Sequence, residues 1–136
     1  MKPGPLPALR FVTAALVGAI AGIHLDLWSA YGYRHIPTIG SLFLLNVTSG
    51  GALALTCLVL PTRYLAPAGI STALFALGTV TALLVSCNVG LFGFAETTRA
   101  PLFAASLTVE AATVISALCL AALSARGRIS SGPADS

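Results

Sequence analysis

Charge is what this chain has least of. Seven Lys or Arg and four Asp or Glu make up 8% of its 136 residues, against roughly a quarter in soluble domains. A soluble protein of this size could not cover its surface with so few, so lipid is the solvent for most of the chain. The basic residues are spread singly, which excludes a nucleic-acid-binding patch. Catalytic signatures are missing too: no P-loop, GxGxxG, HExxH or GxSxG, no CxxC and no CxxCH. No Ser or Cys stands with a base in an arrangement that activates it, so no catalytic residue is assigned. Cysteine is scarce: Cys57, Cys87 and Cys119 lie far apart inside apolar stretches. Their odd number and setting favour buried packing residues over a disulfide framework.

What is present is hydrophobicity, 57% of residues and a mean hydropathy of +0.94. At roughly 20 apolar residues per helical span, the length accommodates about four spans and no soluble domain beside them. Prolines punctuate the chain and place the spans at about 11–33, 37–60, 68–94 and 101–124. Pro37 and Pro101 suit the first turn of a helix, and Thr97 or Thr98 suits a cap before the last one. The expectation is an all-α, integral membrane four-helix bundle, a single domain over 1–126 with up-down-up-down topology. The stretch 127–136 reads as a disordered cytoplasmic tail.

Lys2, Arg10, Arg63, Arg126 and Arg128 fall on one side of such a bundle, Arg34 and Arg99 on the other. That bias puts both termini in the cytoplasm and the protein in the plasma (cell) membrane. Trp28, Tyr31 and Tyr33 then form an aromatic belt at the outer interface. Lys2, Arg10 and "AIA" at 19–21 also carry the marks of a signal peptide. The apolar run continues beyond residue 21, which favours an uncleaved first helix.

Small residues recur every four positions, as Ala14, Gly18 and Gly22 and as Ala104, Thr108, Ala112 and Ser116. Such stripes let helices approach closely. "TSGG" at 48–51 reads as close packing, with a local kink as the alternative.

Polar residues fall at a shared depth. His24, Asn46, Asn88 and Glu110 each lie roughly 9–14 Å below the outer end of their span at 1.5 Å per residue. Asn46 follows His24 by 22 residues, as Glu110 follows Asn88, and the shift of 64 residues that carries the first pair onto the second also pairs Leu27 with Leu91, Trp28 with Phe92, and Pro37 with Pro101. These matches are too few to establish a repeat. Glu110 is the strongest single signal, since an ionisable residue near the bilayer centre is costly and suggests function. Helical periodicity gives it a stripe with Ser106 and Thr113. His24 is its natural partner by depth, while Asp26 points away from that contact. Asp26, Arg34, His35, Glu96 and Arg99 read as an outer rim. In type, His24 and Glu110 with Asp26 or His35 suit a metal, but the spacing identifies no ion and no cofactor.

The stretches "HLDLWSAYGYRHIPTIGSLFLLN" and "LFGFAE…P…S…VE" resemble those of small four-span membrane proteins of high-GC bacteria. The likeness covers under half the chain and implies no activity. Three functions remain. The first is an accessory or assembly subunit that packs against a membrane-protein partner or itself. The second is a small-ligand or proton-coupled site using His24, Asn46, Asn88 and Glu110. The third is an enzyme acting on a lipid or quinone through Asp26 and His35.

Overall fold

The computed structural model describes residues 4–130; Lys2 and residues 131–136 of the expected tail lie outside the described residues. The described chain is all-helical, with no strand. Its four long helices are α1 Pro5–Ala30, α2 Ile39–Val59, α3 Leu65–Asn88 and α4 Phe103–Ser130. All four are long and apolar enough to cross a membrane. α4 runs on through residues 127–130.

Backbone chemistry at the connections sets the helix ends. α1 opens on Pro5, whose missing N–H costs nothing there. It stops before Gly32, which takes a left-handed φ of 82°. Pro37 does not open α2. Thr38 follows it at φ 66°, ψ −50°, and Ile39 N–H donates to the Pro37 carbonyl at 2.7 Å. That is a tight γ-turn, a conformation rarely adopted by a residue with a side chain. Pro101 does not open α4 either: Leu102 follows at φ 60°, the Phe103 N–H donates to the Ala100 carbonyl at 3.2 Å, and α4 begins at Phe103. The displacement that relates the two prolines thus also relates two left-handed residues. Thr97 and Thr98 lie too far ahead of Phe103 to cap α4.

The third span differs most from expectation. α3 ends at Asn88 rather than near residue 94, because Gly90 turns left-handed at φ 82° and donates to the Val85 carbonyl. Phe92 and Gly93 are also left-handed, and Leu91 and Phe94 exchange backbone hydrogen bonds at 2.7 and 2.9 Å. Two consecutive positive φ values between such a pair make a mirror-image tight turn. The chain at 89–94 therefore folds back instead of climbing another turn.

α1 packs along α2, α3 along α4, and α1 against α4, whereas α2 and α3 meet only thinly. Glycine sets the closest approaches. A Cβ on Gly69 would stand 2.7 Å from the Ala117 carbonyl oxygen and 2.9 Å from the Ala121 nitrogen. One on Gly50 would stand 3.1 Å from the Ala21 Cβ. The "TSGG" segment is thus a packing site within a continuous α2. The predicted small-residue stripes are buried only in part, at Ala14 and Ser116. Ala104 and Thr108 are exposed, and α4 turns inward Ser106, Glu110, Thr113, Ala117, Leu120 and Ser124. On α1, Gly22 is exposed while Val17 and Ile20 are buried. With lipid outside, small apolar residues are acceptable on either face, whereas polar ones are driven inward. Cys57 follows expectation and is buried; Cys119 is exposed.

Arg10 closes the end of the bundle opposite the 31–38 connection. Its Nε donates to the Cys57 carbonyl, and its terminal nitrogen donates to those of Leu58 (2.7 Å) and Leu60. These are the last carbonyls of α2, which have no partner within the helix.

Gly69→Ala forces backbone against backbone between α3 and α4 and should cost about 1–3 kcal/mol, as overpacking does. Gly51→Ala, with nothing within 4 Å of the new Cβ, should be tolerated. Thermal unfolding of the two variants in one detergent checks the contrast, and equal midpoints would refute the packing argument.

Candidate functional site

The thin α2–α3 contact leaves a cavity of about 130 Å³, reached by all four helices and roofed by the 89–102 connection. His24 from α1, Asn46 from α2, Thr79 and Ser86 from α3, and Ser106 and Glu110 from α4 line it. The rest of the wall is mainly leucine and phenylalanine.

Glu110 is 1% exposed. Its Oε1 accepts a hydrogen bond from the Ser106 hydroxyl one turn earlier, at 2.9 Å. Its Oε2 is buried without a partner, as is the Oδ1 of Asn46. His24 Nδ1 lies 2.9 Å from the Ile20 carbonyl oxygen. A carbonyl only accepts, so Nδ1 carries the proton and Nε2 of the neutral ring is an acceptor. The ring packs on Phe43 with centroids 4.9 Å apart. An uncompensated carboxylate oxygen in a low-dielectric interior is expensive, which makes Glu110 the centre of the site.

The roof is held by Glu96. Tyr33 donates its hydroxyl to Glu96 Oε2 at 2.6 Å, and Thr97 N–H donates to Oε1 at 3.0 Å. The Glu96 N–H in turn donates to the Ser86 carbonyl and hydroxyl, both at 3.2 Å. Tyr33 stacks on Phe43 at 5.0 Å and meets Phe94 edge-on at 5.8 Å. One aromatic row thus runs from His24 to the roof. Burial, with Glu96 adding to it, holds the Tyr33 phenol above its ordinary pKa of 10.

The structure brings together His24, Asn46, Ser106 and Glu110 of the expected site. Asn88 does not join them: it is the last residue of α3, exposed, and its amide donates to the Leu84 carbonyl at 2.7 Å. Its expected depth depended on α3 reaching residue 94. Thr113 faces inward below the cavity, with its hydroxyl on the Val109 carbonyl. Of the expected rim, Asp26, Arg34, His35 and Arg99 are exposed. Arg34 Nε donates to His35 Nε2 at 3.0 Å. Glu96 leaves the rim for the roof, and Tyr33 is buried instead of lying in an aromatic belt; Tyr31 remains exposed. Thr79 and Ser86 were not legible, because hydroxyls recur throughout these helices and most bond their own backbone. Among the described residues, no three His, Cys, Asp or Glu side chains converge as a metal site would require.

No protein-family model, characterised protein or solved structure matches this chain.

Because the raised phenol pKa favours the neutral donor, the Tyr33–Glu96 latch contributes fully below pH 10 and is lost as pH climbs through the folded-state value. A tyrosinate absorbance titration should show one late phenol that Tyr33→Phe removes. Loss of an early phenol instead would contradict the latch.

Proposed function

We propose that this protein is a multi-pass protein of the plasma membrane whose function centres on a small-ligand or proton-coupled site between its helices. The topology proposed is up-down-up-down with both termini cytoplasmic. The bias of Lys and Arg toward one side supports it. So does the meeting of Arg10, early in α1, with the last carbonyls of α2. One observation carries the functional reading: Glu110, almost fully buried, keeps a carboxylate oxygen without a partner beside a cavity shared with His24 and Asn46. A glutamate serving only to fasten α4 would have both oxygens engaged by neighbouring helices. Glu110 instead takes its 2.9 Å hydrogen bond from Ser106 on its own helix, and the Thr79 hydroxyl of α3, the neighbour that also bears on it, donates to the Ala76 carbonyl.

Dicyclohexylcarbodiimide partitions into lipid and modifies carboxyl groups reached from that phase. Treated protein should carry an adduct that peptide mapping places on Glu110. Glu110→Gln should lack that adduct while eluting as wild type does, and Glu96→Gln should retain it. An unmodified Glu110 would refute a reachable site.

A second reading, an accessory or assembly subunit bound to another membrane protein, is supported by an open groove between α2 and α3. Leu53, Thr56, Leu60, Tyr64 and Pro67 line it. The connections are too short to engage a partner in water, so any partner would meet a helix face. Mass measurement after gentle detergent extraction from native membranes should then find a complex, and a solitary monomer under every mild condition counts against it. For an enzyme acting on a lipid or quinone, the candidate pair Asp26 and His35 is exposed, with His35 Nε2 accepting from Arg34 rather than from an acid, and no specific observation favours that reading.

A further inference from the structure

Hydrogen bonding inside the cavity is one-sided. The Ser106 hydroxyl is spent on Glu110, that of Thr79 on the Ala76 carbonyl at 2.8 Å, and that of Ser86 on the Phe94 carbonyl at 3.5 Å. Tyr33 spends its own on Glu96. The polar atoms left over are acceptors from three different helices: Glu110 Oε2, Asn46 Oδ1 and His24 Nε2. Apart from the Asn46 amide's own NH₂, the lining side chains have no uncommitted donor, and no Lys or Arg is among them. Apart from Glu96, whose two oxygens are taken by Tyr33 and Thr97, the remaining wall is hydrocarbon and aromatic. A ligand complementary to this surface brings N–H donors and a positive charge at one end and an apolar body at the other.

We propose that the cavity binds a small organic amine in its ammonium form. The ammonium sits on Glu110 Oε2, within reach of the acceptors of Asn46 and His24, and the apolar part lies against Phe43 and the leucines. Aromatic faces favour a cation as well. The volume of about 130 Å³ is close to that of cavities of about 150 Å³ that take a benzene ring, so the body is about one six-membered ring. An anion would meet the carboxylate with no compensating cation, and a neutral apolar molecule would leave Oε2 unpaired. A bare divalent metal ion needs at least four ligands; of the lining His24, Glu96 and Glu110, Glu96 has both oxygens taken by Tyr33 and Thr97, and among the described residues no three such groups converge.

This inference rests on the reading of the cavity as a reachable site and deepens it, so its test separates the two. Benzylamine, benzyl alcohol and benzoate are titrated into the purified protein in detergent and followed by ligand-detected NMR. Benzylamine should bind wild type and weaken by at least about tenfold in Glu110→Gln, as loss of a hydrogen bond to a charged group implies. The alcohol and the benzoate should bind neither protein above the detergent background. Equal binding of benzyl alcohol, binding of benzoate, or benzylamine binding unchanged by Glu110→Gln would each overturn the amine assignment. Failure of all three ligands would overturn it too. If carbodiimide still modifies Glu110 in any of these cases, the site reading stands and only the ligand class falls.

Discussion

Everything in this molecule answers to one constraint: in lipid, a polar group finds its partner inside the protein or goes without. The chain meets it mostly within single helices. Thr56, Thr72, Thr81, Thr108, Thr113 and Ser124 each return a hydroxyl proton to the carbonyl one turn back, at 2.7–2.9 Å. These bonds quench polarity without joining helices. Among the described residues, three fully buried side-chain atoms escape the rule: Thr13 Oγ1, Asn46 Oδ1 and Glu110 Oε2. Nothing in the structure explains the first. The other two belong to the same cavity, and their coincidence separates a site from a tolerated defect.

The same constraint decides how much could be read beforehand. Four spans were legible because a chain with so little charge has no other way to bury its backbone. The Ser106–Glu110–Thr113 face was legible because polar residues in lipid have only one direction to turn, and helical periodicity says which neighbours turn with them. The small-residue stripes were legible only at Ala14 and Ser116, the rest being half-buried or exposed. Alanine and glycine are equally at home against lipid and against a helix, so their recurrence on α4 said nothing about which face packs. Gly69 and Gly50 earn their place through specific close approaches that no periodicity displays.

The end of α3 shows a different limit. An apolar run continues from Asn88 into "VGLFGF", and hydropathy alone extends the helix. Gly90 and Gly93 were the available signal, and their left-handed backbone outweighs the apolar content. That single change moves Asn88 out of the site. It also brings Glu96 back over the cavity, where Tyr33 and Ser86 hold it. A residue that looked like a water-exposed charge is therefore part of the site's roof.

Arg10 touches no part of the cavity, yet it bears on how the molecule is made. Its guanidinium is satisfied only by carbonyls between residues 57 and 60, some fifty residues further along the chain. Until α2 has been synthesised as far as those residues, half-buried Arg10 depends on water, and the last carbonyls of α2 gain this partner only when α1 is alongside. The smallest piece that holds this contact at that end is the α1–α2 hairpin, so a cut between the two helices leaves the Arg10 charge and the α2 carbonyls to water.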